Sequence, residues 1–301
     1  MQDQYGNILM PFHSAEIIGS DDDLSIRSIP FPNQTVVSMA TERGEAYRRE
    51  GKANQDRVAT GLLVHHGELI TLDLICDGLG GYENGSQAAQ LCCDAFVEIC
   101  TGSTSLNKEL ELPVAIADHL IKSTLQRYEE EDFSKETGTT MTLAVTRGSN
   151  ITLLHLGDSP GMILDPSANQ VLTRTSDHKP PEFEHRFRLT HYLHRAPVEE
   201  LLENLGVVQF DLRDSVHPVF IILCSDGVSD NLKTSRVDQD FLPQFVELAR
   251  KHASTEGLCE AFMSEARKRM ELHGTEEGLR LDVKPDNASC LVRFCDKKRV
   301  V

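Results

Sequence analysis

The sequence has no apolar run that approaches the length of a membrane-spanning helix, so we expect no membrane partner. Its first residues, MQDQYGNILMPF, lack the basic stretch and apolar core of a secretory signal. No two cysteines have CxxC spacing, which argues against structural zinc. The 301 residues are 40% hydrophobic and 26% charged, enough for one large domain or two ordinary ones.

Basic residues are also scarce, since 30 Lys and Arg face 47 Asp and Glu and the net charge is −17. A negative surplus of this size argues against a nucleic-acid backbone as the main partner. Most of the surplus fits an ordinary solvated surface. A sharper hypothesis is that some of these acids bind metal ions, in which case they count as negative charge only until the metal binds.

The cysteines indicate a compartment. Cys76, Cys92, Cys93, Cys224 and Cys290 lie inside apolar strand or helix patterns. Buried free thiols in a reducing environment explain such positions more simply than disulfides do. We therefore expect a cytoplasmic protein.

Four stretches join an apolar run to an aspartate. An apolar run that meets glycine or polar residues predicts a buried strand that ends in a loop. Each carboxylate would then be held rigidly at the end of a strand. The stretches are ITLDLICDGLGG from Ile70 with Asp77, ITLLHLGDS from Ile151 with Asp158, VFIILCSDGVSDNL from Val219 with Asp226 and Asp230, and DNASCLVRF from Asp286.

Carboxylate oxygens suit Mg²⁺ or Mn²⁺ better than zinc or copper. Several carboxylates in one pocket raise one another's pKa unless a cation neutralises them. Two such ions can share a water, lower its pKa and stabilise a transferring phosphoryl group. The alternative is that each aspartate only forms a turn or caps a helix. That alternative is adequate for a single Asp-Gly pair, but less so for four sites in one chain.

Strands are predicted mostly as adjacent hairpins. TVVSM from Thr35 predicts a first strand, and VATGLLVHHGELITLDLICD predicts a hairpin that turns near His66–Gly67. TGTTMTLAVTRGSNITLLHLGDSPGMIL predicts a second hairpin or meander, and PVFIILC and ASCLVRF predict two later strands. Hairpins of this kind favour an α+β fold with antiparallel sheets over alternating βαβ units.

Apolar periodicity predicts helices between the hairpins. One begins at a Ser86 cap, one runs from about Pro113 to Glu130, and two lie within 240–272. VEELLENLG predicts a short helix that ends at Gly206. The polar segment TERGEAYRREGKANQDR and the later segment HGTEEGLRLDVKPDN show no such periodicity, and the later one is predicted as a loop. Residues 1–34 predict a partly ordered N-terminal extension.

Taken in order, these motifs resemble those of the metal-dependent protein serine/threonine phosphatases, the type 2C-like family. ICDGLGG resembles the family's first metal-binding motif, and TGTTMTLAV with LLHLGDS resembles its central pair of strands. TSDHKP, FIILCSDGVSD and DNASCLVRF resemble three further motifs. Five matches in the family's order, spread over Thr35 to Phe294, are a specific signal.

The resemblance implies a four-layer αββα sandwich, in which two packed antiparallel sheets are flanked by helices and residues 35–301 form the phosphatase domain. It also implies a centre of two Mn²⁺ or Mg²⁺ ions. Asp77 would bridge both ions, the Gly78 carbonyl would bind one, and Asp226 and Asp286 would complete the shell of the other. Asp77, Asp226 and Asp286 are therefore the expected catalytic residues.

Three further aspartates match the family's outer ligands. Asp56 matches a position that usually holds a metal through water. Asp158 and Asp230 match residues associated with a third, more weakly held ion. The alternative for Asp158 and Asp230 is that each caps a turn.

The sequence departs from the family at the positions that handle phosphate and protons. Many members have a histidine, often proposed as the general acid, where this chain has Leu79, which cannot donate a proton. Gln55 stands for a glutamate, and Gly51 for a phosphate-binding arginine. Gly44, Gly51, Gln55 and Asp56 fit a bacterial-type branch better.

Some basic and histidine residues nearby have open roles. Arg48, Arg49 and Lys52 are candidates for phosphate binding, or they form a solvated basic surface. His185, His191 and His194 have spacing that could bind metal, but packing or surface roles are favoured. They belong to an unusual segment, 183–216, that is a candidate for substrate choice.

The sequence thus predicts an enzyme that hydrolyses phosphoserine or phosphothreonine in a phosphorylated protein. A catalytically weak scaffold or phospho-binding module is the alternative, which Gly51 and Leu79 favour and the aspartates oppose. A hydrolase of small phosphoesters is a second alternative. Neither the protein substrate nor the oligomeric state follows from these motifs.

Overall fold

Fourteen strands and eight α-helices make up the part of the chain that this computed structural model describes, residues 14–19, 24–31, 35–79, 84–102, 105–180, 189–233 and 240–298. The strands are β1 (Ser14–Ile18), β2 (Ser25–Pro30), β3 (Val36–Glu42), β4 (Asp56–His65), β5 (Glu68–Asp77), β6 (Gly138–Thr139), β7 (Met141–Arg147), β8 (Asn150–Leu156), β9 (Gly161–Asp165), β10 (Gln170–Arg174), β11 (Leu193–His194), β12 (Gly206–Asp211), β13 (Val219–Cys224) and β14 (Ala288–Cys295). The helices are α1 (Glu45–Glu50), α2 (Gly85–Cys100), α3 (Leu112–Glu130), α4 (Val198–Glu203), α5 (Asp226–Ser229), α6 (Leu242–Lys251), α7 (Thr255–Met270) and α8 (Glu276–Leu281).

Two antiparallel sheets of six strands pack face to face. Sheet I has the order β1-β4-β5-β7-β8-β12, and sheet II has the order β10-β9-β13-β14-β3-β2. Helices α2 and α3 cover the outer face of sheet I, and α6 and α7 cover that of sheet II. The predicted four-layer αββα architecture is confirmed.

Side-chain alternation divides each central strand between two cores. In β5, Leu72, Leu74 and Cys76 pack against helices, whereas Ile75 faces the other sheet. In β13, Phe220 and Ile222 face helices, and neighbouring residues face sheet I. We call the apolar zone between the sheets the inter-sheet layer. It is built from residues such as Val37, Met39, Val58, Leu62, Ile75, Ala144, Leu153, Ile163, Ile221, Leu223 and Leu291.

One ion pair crosses the inter-sheet layer. The Arg293 guanidinium on β14 donates from Nε to Asp73 Oδ2 and from Nη2 to Asp73 Oδ1 on β5, each at 2.6 Å. Thr60 Oγ1 also donates to Asp73 at 2.6 Å, and the guanidinium carbon lies 4.1 Å from the centre of the Phe31 ring. Both charged side chains are only 1% exposed. This pair therefore fixes the two sheets to each other at one point.

The predicted hairpins and most of the predicted helices are confirmed. The β4–β5 hairpin turns at His66 and Gly67, where both residues have positive φ (52° and 81°). Helices α2, α3, α6 and α7 lie where periodicity placed them. No helix in the described ranges is long and apolar enough to cross a membrane.

Several boundaries differ from the prediction. Helix α2 begins at Gly85 after an Asn84 cap, and the Ser86 hydroxyl instead donates to the Asn54 carbonyl at 3.1 Å. Helix α4 ends before Asn204, and Gly206 opens β12, so the predicted glycine cap is wrong. Strand β12 was not predicted.

Two short helices lie in polar segments that gave no helical signal. Helix α1 has only six residues and ends at Gly51, whose positive φ of 67° suits glycine. Helix α8 also has six residues and begins after Thr275, whose side chain accepts from the Gly278 amide. Neither is long enough to show an apolar period, which explains why the sequence did not indicate them. The loop predicted over α8 is therefore wrong.

Part of the predicted N-terminal extension belongs to the sheets. Strand β1 pairs with β4 at the edge of sheet I, and β2 pairs with β3 at the edge of sheet II. Edge strands with few buried residues give a weak apolar pattern, which explains why the sequence did not indicate them. The domain boundary at residue 35 stays a prediction.

We expect Arg293→Met to lower the free energy of unfolding by roughly 3–5 kcal/mol, because it leaves the Asp73 carboxylate buried without its partner. Denaturant unfolding followed by circular dichroism measures this change. The double variant Arg293→Met/Asp73→Leu should recover part of the loss, because it removes both charges.

The matched control is Arg147→Met, which breaks an exposed ion pair between Arg147 and Glu68, both in sheet I. It should cost less than about 1 kcal/mol. A similar cost for the two single variants would contradict a central role for the buried pair.

Candidate metal centre

Strand alternation places two carboxylates at one end of the inter-sheet layer. Asp73 and Ile75 of β5 face the other sheet, so Asp77, two residues on, points to the same side. Asp56 opens β4 and lies opposite Asp77 in the strand register. Sheet I therefore contributes a pair of aspartates on adjacent strands.

Sheet II and one connecting loop bring the other aspartates to the same end. Asp226 lies two residues after the end of β13, Asp286 precedes β14 by two residues, and Asp158 lies between β8 and β9. Burial raises the pKa of Asp77 well above its usual range, and the charges of Asp56, Asp226, Asp286 and Asp158 raise it further. The carboxylates from both sheets thus act on one another electrostatically.

The backbone around Asp77 is tightly fixed. The Asp77 amide donates to Thr140 Oγ1 at 3.0 Å, and the Thr140 amide donates to the Asp77 carbonyl at 2.8 Å. The Gly78 amide donates to the Gln55 carbonyl at 3.2 Å. A Cβ at Gly78 would lie 2.2 Å from the Gly85 carbonyl oxygen, so no larger residue fits there. Gly80 and Gly81, predicted to complete this turn, lie outside the described residues.

Asp56 is a buried carboxylate that lacks a donor. Its side chain is fully buried, and no group in the described ranges meets hydrogen-bond geometry with either oxygen. Burial raises the pKa of Asp56 to about 6, although the nearby Ser225 and Ser289 hydroxyls partly oppose the shift. A buried carboxylate in this condition is stabilised by a cation.

Asp286 is in a similar condition. Burial, together with the charges of Asp226 and Asp56, raises the pKa of Asp286 to about 8. Among the described residues, the Asn287 amide donates to Asp286 Oδ1 at 2.8 Å, and the charge of Lys284 only partly opposes the rise in pKa. Asp56, Asp77 and Asp286 are thus a set of closely spaced oxygen donors, which fits Mg²⁺ or Mn²⁺.

The described residues contain no group of three carboxylate, imidazole or thiolate side chains already placed around a single ion. A ligand shell at this site would therefore include other oxygens, such as the Gly78 carbonyl and water, as is usual for Mg²⁺. The metal roles of Asp56, Asp77, Gly78, Asp158, Asp226, Asp230 and Asp286 stay predictions.

The remaining aspartates are paired with lysines. Lys179 Nζ lies 2.6 Å from Asp158 Oδ2, and Lys284 Nζ lies 2.8 Å from Asp226 Oδ2. Asp230 forms ion pairs with Lys284 and Lys233. Burial alone would raise the pKa of Asp226 and Asp230, but the lysine charges bring both below their usual value. This half of the site already contains its own cations.

A family model described as protein phosphatase 2C matches residues 43–266. The chain belongs to the protein phosphatase 2C family. The assignment confirms the family predicted from the five motifs.

Other comparisons agree with this membership. Protein phosphatase 1L of Bos taurus is 30% identical over 119 residues, a match that spans 32% of this chain and 32% of that protein. The chain thus covers about a third of that relative's length. The structure is similar to Stp1 from Staphylococcus aureus, with a TM-score of 0.61 and 15% identity over 93% of this chain and 97% of that one.

The serine/threonine phosphatase PstP has the same fold. The Mycobacterium tuberculosis structure gives a TM-score of 0.59 and 20% identity, and covers 91% of this chain and 99% of that chain. The PstP catalytic domain in complex with two manganese ions gives a TM-score of 0.58 and 20% identity, over 91% and 100% of the two chains. Identities this low establish the shared fold alone.

Sequence reasoning missed several groups at the site of this phosphatase 2C family member. Tyr47 of α1 donates to Gln55 Oε1 at 2.9 Å, and burial with the charges of Asp286 and Asp77 raises the pKa of Tyr47. Lys179 lies within the TSDHKP motif, and Lys284 lies two residues before Asp286. This closeness to the motifs is the signal in the sequence that could have identified them.

The candidate phosphate-binding residues all have acidic partners. Arg48 donates to Glu42 at 2.9 Å, and Arg49 donates to Glu45 at 3.0 Å. Lys52 lies 2.6 Å from Glu50. The Arg49 and Lys52 pairs are exposed, which fits a solvated surface, whereas the Arg48–Glu42 pair is partly buried. Phosphate binding by these residues stays a prediction.

The histidines of the unusual segment lie in packing contacts. The His191 ring is 5.3 Å from that of His178, and His194 Nδ1 lies 2.8 Å from the Tyr192 carbonyl oxygen. His185 lies outside the described residues.

Without metal, the protein should lose stability as the pH rises from 6.5 to 8. The pKa of Asp286 is about 8 in the folded chain against 3.8 as its ordinary value, so the folded state retains a proton that the unfolded state has released. The free energy of unfolding therefore falls, by up to about 1.4 kcal/mol per pH unit for each such group.

Thermal unfolding in chelator across this pH range measures the slope. His155, whose pKa burial lowers to about 3, is neutral in the folded state, and its protonation in the unfolded state, half complete at the ordinary value of 6.5, opposes the slope only in the lower part of this range. Excess Mn²⁺ should flatten the slope, and so should Asp286→Asn in chelator. Equal slopes in chelator and in Mn²⁺ would count against a metal centre here.

Proposed function

We propose that this chain is a Mn²⁺- or Mg²⁺-dependent protein phosphatase that hydrolyses phosphoserine and phosphothreonine through a binuclear centre. The observation that carries the proposal is a group of three carboxylates, Asp56, Asp77 and Asp286, whose pKa values are raised by burial and mutual repulsion and none of which forms an ion pair with a lysine or arginine in the described ranges. Membership of the phosphatase 2C family and the two manganese ions of PstP support it.

The proposed ligands come from both sheets. Asp77, the Gly78 carbonyl, Asp226 and Asp286 would hold the two ions, and Asp226 would exchange its ion pair with Lys284 for a metal contact. Asp56 would hold one ion through water. When bound, the ions lower the pKa of a water and neutralise charge on the phosphoryl group.

The chain's own residues keep this site rigid and partly dry. The hydrogen bonds between Asp77 and Thr140 hold the Asp77 backbone on both sides, so its carboxylate needs little reorganisation. Tyr47 stays protonated because its pKa is raised, and its hydroxyl orients Gln55. Leu79 supplies no proton for the leaving group, so that proton comes from solvent or substrate-side groups.

A groove of about 510 Å³ adjoins Asp286. Helices α1 and α7 and the end of β3 line it with charges of both signs, Glu42, Arg43, Glu45, Arg48, Arg49, Glu50 and Arg267. A surface of mixed charge beside the reacting centre supports a phosphorylated protein segment as substrate, because side chains flanking the phosphoresidue have partners there.

We also propose a cytoplasmic location. All eight cysteines are buried and free, which fits a reducing compartment.

Purified protein with Mn²⁺ should release phosphate from a phosphothreonine peptide, and Asp77→Asn should reduce kcat/KM at least about 100-fold. This is a loss of roughly 2.7 kcal/mol of transition-state stabilisation. EDTA should abolish release by the unaltered protein. Phosphate assays in both conditions measure the effect.

The matched control is Asp118→Asn, because Asp118 is a buried aspartate on α3 that pairs with Lys122 outside this site. It should retain activity close to that of the unaltered chain. Metal binding without turnover in any condition would support the scaffold alternative. Faster turnover of a small aryl phosphate than of the peptide would support the small-phosphoester alternative.

A further inference from the structure

Three aspartates of the site lie around the ammonium groups of two lysines. Asp158 Oδ2 lies 2.6 Å from Lys179 Nζ, and Asp226 Oδ2 lies 2.8 Å from Lys284 Nζ. Asp230 Oδ2 pairs with Lys284 and lies 4.0 Å from Lys179. The two ammonium groups thus lie among all three carboxylates.

These ion pairs are sheltered from solvent. The side chains of Lys179 and Lys284 are 15% and 19% exposed, and those of Asp158 and Asp230 are 8% and 7% exposed. Desolvated pairs of this kind are held far more firmly than surface ion pairs, because leaving one partner buried and alone is costly.

The backbone places Lys179 at this point. The His178 amide donates to the Gly157 carbonyl at 2.8 Å, and the Gly157 amide donates to His178 Nδ1 at 3.2 Å. These two bonds join the segment that carries Lys179 to the segment that carries Asp158. The lysine therefore meets its aspartate without a mobile loop between them.

Lys284 is placed in an equivalent way. The Asn231 side chain donates to the Lys284 carbonyl at 2.9 Å and accepts from the Lys284 amide at 3.0 Å. Asn231 Nδ2 also donates to the Gly227 carbonyl at 2.7 Å. Asn231 thereby links Lys284 to the residues next to Asp226 and Asp230.

We propose that Lys179 and Lys284 take the place of the third metal ion that the family resemblance implied at Asp158 and Asp230. This inference rests on the proposed binuclear centre and limits the number of bound metal ions to the two of that centre. An ammonium group is a compact point charge with three donors, so it can neutralise carboxylates that a divalent ion would otherwise bind. A third ion at Asp158 and Asp230 would have to displace both lysines and compete with Lys233, which also pairs with Asp230.

The number of Mn²⁺ ions bound at saturation tests this inference. Equilibrium dialysis with metal analysis should give two ions for the unaltered chain. The double variant Lys179→Gln/Lys284→Gln should bind three, because the three carboxylates lose the two ammonium groups between them. Asp158→Asn in the unaltered background should still bind two.

Lys122→Gln is the matched control, because Lys122 also pairs with a buried aspartate, Asp118, but far along the chain in α3. It should bind two ions. Circular dichroism and the melting temperature in Mn²⁺ report whether each variant folds. If the double variant does not fold, the count for Asp158→Asn and for Lys179→Gln alone decides the question.

The outcomes separate the two proposals. No bound Mn²⁺ in the unaltered chain would overturn the binuclear centre itself. Three ions in the unaltered chain, with one lost in Asp158→Asn, would overturn only the role of the lysines. Two ions in both the unaltered chain and the folded double variant would also overturn it.

Discussion

Every charge that points into the space between the two sheets must be neutralised there, because that space is closed to water. The central strands are buried on both faces, so alternate residues enter either a helix-facing core or the inter-sheet layer. Removing an ion from water costs several kcal/mol even after relaxation. The structure meets this constraint differently in the middle of the inter-sheet layer and at its end.

In the middle of the layer, neutralisation is complete and permanent. Arg293 and Asp73 satisfy each other in a bidentate arrangement, and Thr60 and Thr35 occupy further hydrogen-bonding positions. No ligand is needed, and the pair holds the sheets in one alignment. At the end of the layer, some carboxylates form ion pairs with lysines and others do not. This incomplete pairing of carboxylates distinguishes the site from the middle of the layer.

Much of this arrangement follows from local sequence. The apolar runs before Asp77 and Asp226 fixed both strands, and the alternation of Leu74, Ile75 and Cys76 already places Asp77 between the sheets. The order of the motifs then predicted the fold. These features are local, so a single sequence is enough to detect them.

The parts that could not be predicted depend on distant contacts. Arg293 meets Asp73 across 220 residues of chain, and Lys284 meets Asp226 across 58. Tyr47 reaches Gln55 from a helix too short to show a period. From sequence alone, a lysine beside a motif cannot be distinguished from an exposed surface lysine. Only the fold shows which carboxylate it contacts.

The distribution of charge explains why the two halves of the site differ. Asp158, Asp226 and Asp230 are matched by Lys179, Lys284 and Lys233, three acids against three ammonium groups. Within the described ranges, Asp56, Asp77 and Asp286 form no ion pair with a lysine, although the charge of Lys284 partly lowers the pKa of Asp286. Their pKa values are raised, as is that of Asp158, whereas the lysines bring those of Asp226 and Asp230 below the usual value. Favourable binding energy for divalent ions is therefore concentrated on the unpaired half, where each bound ion relieves repulsion between carboxylates. At Asp158 and Asp230, an incoming third ion would have to break existing ion pairs first, and that cost favours two ions over three.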